Sequence, residues 1–506
     1  MDSLLNHLQE FTAPEKNILV EGNEQYSYDR LSQAVKHFSR ILKKFEISSL
    51  AIYADNSIDW IVADLACQKL DICLLPLPDY FSNEQLEHAL SSCAVDFILT
   101  DRPKQLIASL PTLSYEKKFD YSTGLCFLAH SGLTGTAKLP ESTQKITFTS
   151  GSTGQPKGVC LSLQQQIQQA QVLSDLIGLK QPAHLCLLPL STLLENIAGV
   201  YAPLLAAGSV TICSLEKLGY DGSRLKSPEK MLEAIATINP DTLILIPQLL
   251  MLLVQAATQG WPVPNFKFVA VGGSKVAPEL LLQARKFGIP AYEGYGLSEC
   301  ASVVSLNIPE HDQAGSCGKA LPHLQLGVEN NELVVTGNSM LGYVNDPDSW
   351  YPARISSGDL GYIDDDGFVH INGRSKNLLI SSYGRNISPE WVESELLASP
   401  LLAEAVVFGD AQPYCIALIY PRVDSASDLQ IERVVDHANL KLPDYAQIKG
   451  WLRLDTPLST KADFMTSNGR PRREEIAKFY QTDIEALYPI NDNNTQIYQA
   501  KESKAV

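Results

Sequence analysis

The stretch Ile146–Gly158, ITFTSGSTGQPKG, has the composition of a phosphate-binding loop. A β-rich run opens into a loop of serine, threonine and glycine that ends at Lys157. Small residues let backbone N–H groups approach an anion, hydroxyls add donors, and a lysine supplies positive charge. The Walker A pattern G-x-x-x-x-G-K-[ST] cannot be placed on this stretch. The sequence therefore predicts a phosphate cradle of another kind.

A second stretch, Met465–Glu474, reads MTSNGRPRRE and places three arginines within four positions. Such a cluster could bind nucleic acid, form a solvated turn, or carry positive charge into an active site. No aromatic residues interleave with it, and the formal net charge of the whole chain is −17. Both features disfavour binding to nucleic acid, and the acidic balance also disfavours anionic lipid.

The loop after Ile146 resembles the corresponding loop of the adenylate-forming enzymes. These include acyl-CoA synthetases, aryl-CoA ligases, luciferases and the adenylation domains of peptide synthetases. Three further segments resemble motifs of that family in the family's order, and the resemblance extends over nearly the whole chain. They are YGLSE at Tyr295–Glu299, the ribose-binding and hinge segment at Ser356–Asn377, and GRNISPEWVE at Gly384–Glu393.

The resemblance implies ATP-dependent activation of a carboxylic acid. In this family the acid attacks the α-phosphate of ATP to give acyl-AMP and pyrophosphate, and a thiol then displaces AMP. The thiol belongs to coenzyme A or to the phosphopantetheine of an acyl carrier protein, and Mg²⁺ assists. PLSTLLEN (189–196) resembles a stretch of long-chain acyl-CoA synthetases, which favours a medium- or long-chain fatty acid.

The resemblance also assigns nucleotide-binding residues, position by position. The phosphate loop comprises Thr149, Ser150, Gly151, Ser152, Thr153, Gly154 and Lys157. On the nucleoside side, Gly273 and Ser274 border the adenine, Tyr295 stacks on it, Asp359 accepts the ribose hydroxyls, and Arg374 contacts ribose or phosphate.

Four residues are assigned to the chemistry and to the domain movement. Ser298 would hold the α-phosphate or acyl oxygen, and Glu299 would ligate magnesium, a hard cation suited to carboxylate oxygen. Lys376 matches the hinge about which the C-terminal domain rotates between the two half-reactions. Arg470 stands where the family carries a lysine that enters the site, and Arg473 matches the arginine that follows.

Arginine at position 470 keeps the positive charge of the usual lysine. Its guanidinium is planar and forked, so the exchange is not conservative at a site built for a point charge. The substitution leaves open a second interpretation, an acyl-adenylate-binding protein with impaired catalysis. The intact phosphate loop, Glu299 and Asp359 favour an active ligase.

The predicted acyl pocket comprises Gly272, Gly294, Gly296, Leu194 and Asn196. Acetate-using relatives carry a bulky aromatic residue where Gly296 stands, so glycine here permits a longer acyl chain. The apolar residues of segment 192–201 could equally be ordinary helix core. Thr192 replaces a histidine of the long-chain pattern, and Asn377 replaces a common aspartate beside the hinge.

An aryl- or amino-acid-activating ligase is the alternative within the same family. Amino-acid activators usually carry an aspartate that pairs with the α-ammonium group. The corresponding region here, LLENIAGVY, offers Glu195 and no aspartate, which disfavours an amino-acid substrate.

The elements that must position these residues follow an α/β pattern. From about residue 48 to 300, apolar runs such as SLAIYAD and TLILIP alternate with segments of helical periodicity. This alternation is typical of parallel sheets that are buried on both faces. Between 315 and 375, short alternating strands with turn signals such as DDDG predict hairpins.

We therefore predict an α/β fold with three parts. Residues 1–374 form a large N-terminal ATP- and acyl-binding domain with parallel sheets flanked by helices plus a small β subdomain. Residues 375–490 form a smaller mobile α+β C-terminal domain, and residues 491–506 form a polar tail. The sequence contains no basic and apolar leader, no run of about 18 apolar residues and no C-x-x-C pair. This favours a cytoplasmic protein without a transmembrane segment.

Overall fold

The computed structural model describes residues 3–79, 81–95, 97–110, 114–118, 127–130, 136–149, 156–222, 224–383, 385–461, 464–465 and 470–488. Five residues of the predicted phosphate loop, Ser150, Gly151, Ser152, Thr153 and Gly154, lie outside the described residues. The polar tail predicted over 491–506 lies outside them as well.

Two large sheets form the α/β region, and the first has eight strands within the described residues. In sheet order these are β21 (Gly342–Tyr343), β9 (Lys157–Leu161), β8 (Lys145–Thr149), β4 (Cys73–Pro76), β3 (Ser49–Tyr53), β5 (Phe97–Thr100), β7 (Phe127–His130) and β6 (Ser114–Lys118). The four central strands β8, β4, β3 and β5 are parallel, and the outer strands pair antiparallel.

The second large sheet has nine described strands and carries most of the candidate site. In sheet order these are β18 (Lys319–Ala320), β17 (Ser302–Leu306), β16 (Ala291–Leu297), β15 (Phe268–Val271), β14 (Thr242–Leu245), β10 (Ala183–Leu185), β11 (Ser209–Thr211), β1 (Asn17–Glu21) and β2 (Glu24–Ser27). Strands β16 to β1 are parallel. Their apolar side chains are buried on both faces, as the continuous apolar runs predict.

The connecting segments are largely helical, and serine caps begin several of them. The α-helices are α1 (Leu4–Gln9), α2 (Tyr28–Lys44), α3 (Ile58–Leu70), α4 (Asn83–Cys93), α5 (Pro103–Ser109), α6 (Leu163–Ile177), α7 (Ala202–Leu205), α8 (Pro228–Ile238), α9 (Pro247–Thr258), α10 (Pro278–Lys286), α11 (Pro389–Leu397), α12 (Asp428–Asn439), α13 (Arg473–Phe479) and α14 (Gln481–Ala486). At α3 the Ser57 hydroxyl accepts a hydrogen bond from the Trp60 amide, which satisfies one of the exposed N–H groups of the first turn.

Two smaller units follow the large sheets. A four-stranded antiparallel sheet contains β19 (Leu324–Glu329), β20 (Glu332–Gly337), β22 (Ile355–Ile363) and β23 (Val369–Arg374). The C-terminal unit is built on a three-stranded sheet of β26 (Leu402–Phe408), β27 (Cys415–Pro421) and β28 (Ile448–Arg453), packed against α11 and α12. Two-stranded pairs join β12 (Tyr220–Asp221) to β13 (Arg224–Leu225) and β24 (Leu379–Ile380) to β25 (Asn386–Ile387).

This architecture confirms the predicted fold class, a large N-terminal α/β domain with parallel sheets, a small β subdomain and a smaller α+β C-terminal domain. The boundary at residue 374 and the mobility of the C-terminal domain stay predictions.

One apolar run forms less strand than its pattern predicts. In HLCLLPL (184–190) the regular pairing ends at Leu185, and the chain then leaves the sheet. The side chain of Asn56 then satisfies backbone groups that a neighbouring strand would otherwise bind. Its amide donates to the Leu188 carbonyl, and its oxygen accepts from the Leu190 amide. A π-helix, Leu194–Tyr201, follows directly.

Candidate active site

The candidate site lies at the carboxyl ends of β15 and β16, where open α/β sheets usually bind ligands. The Gly272 amide donates to the Leu245 carbonyl, which continues the strand pairing one residue beyond β15. Gly273 then turns with a φ of +88°, a backbone conformation that glycine adopts without strain. Gly273 and Ser274 are exposed at this turn, as an adenine-bordering segment would need to be.

A buried carboxylate lies opposite this turn. Asp359 is only 4% exposed, and its two oxygens have different partners. The Tyr295 hydroxyl donates to Oδ2 at 2.6 Å, and Arg374 Nε lies 2.7 Å from Oδ1. Burial raises the pKa of Asp359, while Arg374 and Tyr295 oppose that shift. Each carboxylate oxygen can accept a further hydrogen bond. Asp359 could therefore still bind the ribose hydroxyls, as predicted.

Arg470 reaches this cluster from the C-terminal unit. Its Nη2 donates to the Gly273 carbonyl at 2.9 Å, and its charge is felt by Asp359 and by Tyr295. Burial, and then the neighbouring Arg374, lowers the pKa of Arg470. The structure therefore brings Gly273, Tyr295, Asp359 and Arg470 together at one place.

Arg473 does not enter the site, although it belongs to the same arginine cluster. It forms ion pairs with Glu390 and Glu393 on α11, and burial raises the pKa of Glu393 to about 7 against the opposing charge of Arg473. These ion pairs attach the beginning of α13 to α11. The position of Arg470, three residues earlier, therefore depends on them.

Glu299 and Lys157 meet at a residue that the sequence did not single out, Tyr343. The Tyr343 hydroxyl donates to Glu299 Oε1 at 2.9 Å, and Lys157 Nζ lies 4.8 Å from the centroid of the Tyr343 ring. Tyr343 lies in β21, which pairs with β9 immediately after Lys157. The pairing of these distant segments has no local signal in the sequence.

The remaining predicted residues lie around this cluster. Thr149 at the end of β8 pairs directly with Lys157 at the start of β9. The two described ends of the phosphate loop are therefore neighbours. Ser298 and Glu299 begin a short 3₁₀ turn, Ser298–Cys300, and both are half-buried.

An apolar cavity of about 60 Å³ lies against one face of the nine-stranded sheet, along β14 and β15. Strand alternation directs Phe268 and Ala270 of β15 into it, and Gly272 continues that face. A β-carbon on Gly272 would lie 3.4 Å from the Gly294 carbonyl oxygen, and one on Gly294 would lie 2.9 Å from Leu306, which lines the cavity. Gly272 and Gly294 therefore lie close to each other, and Gly294 lies beside a residue that lines the cavity; neither glycine lines it itself.

The π-helix Leu194–Tyr201 forms the opposite wall of the cavity. Within this helix only Leu194 and Ala198 are not fully buried, and both line the cavity. The other six residues are buried against the protein. Leu194 therefore lines this cavity, and its assignment to the acyl pocket stays a prediction.

Asn196 was also assigned to the acyl pocket, but it does not line this cavity. It is 2% exposed and faces a buried ion pair between Lys145 and Asp64. Its amide donates to Asp64 and its oxygen accepts from Lys145 Nζ at 2.6 Å. The helix turns Asn196 away from the cavity that Leu194 lines.

Gly296, the third glycine assigned to the acyl pocket, is constrained by a neighbouring strand. A β-carbon there would lie 1.7 Å from the Ser302 carbonyl oxygen, at an irregularity in the pairing of β16 with β17. Glycine is therefore required by the close approach of two strands, and Gly296 does not line the described cavity.

His184 and Thr242, which line the cavity, belong to a second buried polar cluster. His184 Nδ1 is 2.9 Å from the Thr242 hydroxyl and Nε2 is 2.9 Å from Glu195, whose other oxygen accepts from the Leu188 amide. Cys186 completes a cluster whose ligand atoms lie within 4.8 Å of one another. Because His184 and Glu195 already satisfy each other, we interpret the cluster as a structural support for the π-helix.

The predicted hinge forms a 3₁₀ turn, Ser375–Asn377, in which Lys376 is exposed. The Asn377 amide donates to Glu390, which also pairs with Arg473. An aspartate at position 377 would oppose the Glu390 carboxylate. This contact explains the departure from aspartate in this chain.

Family profiles decide the classification. The profile described as AMP-binding enzyme matches residues 9–343, and the profile of the AMP-binding enzyme C-terminal domain matches residues 376–492. The chain belongs to the AMP-binding enzyme family. This confirms the resemblance to adenylate-forming enzymes and the prediction of an acid–thiol ligase.

Relatives of this AMP-binding enzyme are similar at modest identity. The long-chain-fatty-acid–CoA ligase FadD15 of Mycobacterium bovis is 26% identical over 534 residues, covering 87% of this chain and 88% of the relative. The 2-succinylbenzoate–CoA ligase of Enterococcus faecalis is 26% identical over 451 residues, covering 84% and 89%.

Solved structures support the same fold. The anthranilate CoA ligase AuaEII in complex with anthranoyl-AMP has a TM-score of 0.81 at 18% identity and covers 96% of this chain and 98% of its own. The o-succinylbenzoate CoA synthetase of Bacillus subtilis with its acyl-adenylate has a TM-score of 0.75 at 22% identity, covering 94% and 98%.

Among the described residues, no helix has both the length and the apolar character needed to cross a bilayer. The nine described cysteines are all free thiols.

Proposed function

We propose that this AMP-binding enzyme activates an aliphatic carboxylic acid, of the medium- to long-chain fatty acid class, with ATP and Mg²⁺. Acyl-AMP and pyrophosphate form first, and the acyl group then passes to a thiol of coenzyme A or of a carrier-protein phosphopantetheine. The observation that supports this is the apolar cavity along β14 and β15, which is lined as far as Ala270, two residues before Gly272. Arg470 binds the next residue, Gly273, through its carbonyl.

In the first half-reaction, Arg470 would hold the substrate carboxylate beside the Gly273 turn. Its guanidinium can contact a carboxylate or phosphate oxygen through a charge-assisted hydrogen bond. Asp359 and Tyr295 would orient the nucleoside, and Ser298 would hold an oxygen of the α-phosphate. Positioning and charge neutralisation carry most of the rate enhancement in reactions of this kind.

Magnesium, when bound, would neutralise the phosphate charge, and Glu299 fits it chemically. Its carboxylate offers hard oxygen, is half-buried at the site, and is held on one oxygen only by Tyr343 among the described residues. Lys157 would add positive charge on the phosphate side.

The cavity volume bears on the length of the substrate. About 60 Å³ is far below the roughly 300–1,000 Å³ of a usual ligand pocket. A medium-length chain needs less displacement of the surrounding side chains than a long chain does. The medium-chain end of the proposed class is therefore favoured.

The test is pyrophosphate release with ATP, Mg²⁺ and a panel of carboxylic acids. Straight-chain acids of increasing length should give a maximum at intermediate length, and benzoate, anthranilate and amino acids should give little. A maximum with an aryl acid would instead support the aryl-acid alternative, and no release with any acid would support a binding protein with impaired catalysis. Coenzyme A and a phosphopantetheinylated carrier protein, added separately, distinguish the two acceptors.

We further propose a cytoplasmic location, because free cysteines are typical of a reducing compartment. Compartment-specific labelling of the protein in its own cells tests this.

A further inference from the structure

Tyr343 joins two parts of the candidate site that come from different motifs. Its hydroxyl donates to Glu299 Oε1 at 2.9 Å, and the face of its ring lies 4.8 Å from Lys157 Nζ. A tyrosine ring attracts a cation over its face, and a phenol is a good donor to a carboxylate. One side chain thus contacts both the predicted metal ligand and the predicted phosphate lysine.

The backbone around Tyr343 is firmly held. The Tyr343 amide donates to the Ser349 hydroxyl at 2.9 Å, and its carbonyl accepts from Trp350 Nε1 at 3.0 Å. The next amide, that of Val344, donates to the Gly158 carbonyl at 2.9 Å. Because these bonds fix the backbone on both sides, the ring offers a fixed platform for Lys157.

The residue before it reinforces this position. Gly342 has a φ of +143°, and a β-carbon there would lie 2.5 Å from the Trp350 ring. The chain therefore passes tightly beneath the indole, and only glycine fits.

The hydrogen bond from the Tyr343 hydroxyl constrains one oxygen of Glu299 and leaves the other available for a cation.

We propose that Tyr343 is a positioning residue, which orients the Glu299 carboxylate for Mg²⁺ through its hydroxyl and places Lys157 for the phosphates through its ring. This inference rests on the proposed function of the site in binding magnesium and ATP. Tyr343 itself touches neither the substrate nor the metal.

Two variants separate the contributions of hydroxyl and ring. Tyr343→Phe keeps the ring and removes the donor to Glu299, and Tyr343→Leu removes both. Tyr351→Phe is the matched control, because its hydroxyl also takes part in a hydrogen bond, accepted from the Glu141 amide, and lies in the same segment.

The decisive readout is metal binding in the absence of the acid. Free Mn²⁺ is titrated by electron paramagnetic resonance against protein and a non-hydrolysable ATP analogue. A lost hydrogen bond to a charged group should weaken Mn²⁺ affinity roughly tenfold in Tyr343→Phe. The affinity for the nucleotide should fall further in Tyr343→Leu than in Tyr343→Phe, and Tyr351→Phe should match the wild type in both.

A cycle with Glu299→Gln distinguishes positioning from general loosening of the fold. In the Glu299→Gln background, Tyr343→Phe should change Mn²⁺ affinity no further. Unchanged Mn²⁺ affinity in Tyr343→Phe, an equal loss in Tyr351→Phe, or additive losses in the cycle would each overturn the proposal.

The proposed function is judged separately. It fails if the wild type releases no pyrophosphate with any acid, whereas the Mn²⁺ titration reports on Tyr343 in either case.

Discussion

Arg470 crosses from the C-terminal unit to the Gly273 carbonyl, with Asp359 and Tyr295 beside it. A guanidinium fits here because it can donate to the turn with one nitrogen and still direct other N–H groups elsewhere. The position is therefore compatible with arginine.

Replacing Arg470 tests whether the site uses this charge. Arg470→Ala should reduce acid-dependent pyrophosphate release by about 10² or more, because one transition-state electrostatic contact contributes on that scale. Arg470→Lys should retain more activity than Arg470→Ala, since it keeps the cation. Arg472→Ala, in the same loop, is the control. An equal loss of pyrophosphate release in this variant would show that the total charge of the loop matters and that the contact at Gly273 does not. A large gain in Arg470→Lys would favour impaired catalysis in the natural protein.

Glu293 makes the stability of the protein depend on pH. It is 3% exposed, and burial raises its pKa to about 8, opposed by hydrogen bonding from the Val276 amide and by Lys275. The ordinary glutamate pKa is about 4.3, so between these values the folded protein holds a proton that the unfolded chain releases. This contribution to stability is fully present below about pH 4 and is lost as the pH rises through 8.

Glu293→Gln should remove that loss. The melting temperature of the variant minus that of the wild type should become more positive from pH 5.5 to pH 8.5, as measured by thermal unfolding in matched buffers. A difference that stays constant over this range would contradict a raised pKa for Glu293.

Among the elements, the π-helix Leu194–Tyr201 has the clearest division of faces. Leu194 and Ala198 face the cavity, while Asn196 and Tyr201 bind the buried Lys145–Asp64 pair. Removing one partner of a buried ion pair strongly destabilises a protein, because the other charge is left buried without compensation. A shift of the helix would remove the contacts of Asn196 and Tyr201 with this pair, so the helix is held in one register. π-helical turns are frequent at functional sites, which agrees with its place along the cavity.

This division predicts opposite effects of two substitutions on acyl length. Leu194→Ala enlarges the cavity and should move the best substrate to a longer acid, whereas Ala198→Phe fills it and should move the optimum to a shorter one. The measurement is kcat/KM for pyrophosphate release over a series of straight-chain acids. Leu282→Ala, at an exposed position on α10, is the control and should leave the profile unchanged. If both cavity variants lower all rates equally, the cavity does not hold the acyl chain.

Across the whole molecule, few described polar contacts join the C-terminal unit to the large domain besides Arg470. Lys441 lies 2.7 Å from Glu279, and Arg422 lies close to Met251. Partly exposed ion pairs contribute little free energy, so releasing the unit in this region costs little. Rotation of the unit about Lys376 stays a prediction.

Lys376→Pro tests that rotation. Proline fixes its own φ and restricts the residue before it, so the hinge should lose freedom. Pyrophosphate release should be largely retained, and transfer of the acyl group from pre-formed acyl-AMP to the thiol should fall about tenfold or more. Lys376→Ala keeps the backbone free and should affect neither step strongly. Equal loss of both steps in Lys376→Pro would contradict a hinge role.

The order of motifs was sufficient to predict the fold class, the family and the grouping of Gly273, Tyr295, Asp359 and Arg470. The fold class was predictable because continuous apolar runs and turn residues are local signals. The grouping was predictable because parallel strands bring their carboxyl ends to one edge of the sheet. The assignment of Leu194 to the acyl pocket, made because its segment resembles a known motif, stays a prediction.

Tyr343, the inward turn of Asn196 and the real constraint on Gly296 were decided only by the tertiary structure. Each depends on which distant strand or helix lies beside the residue: β9 beside Tyr343, Lys145 and Asp64 beside Asn196, and β17 beside Gly296. A sequence specifies residue types and local periodicity. The direction of a side chain in a π-helix, and the distance between two paired strands, are set by long-range packing that no short window of the sequence contains.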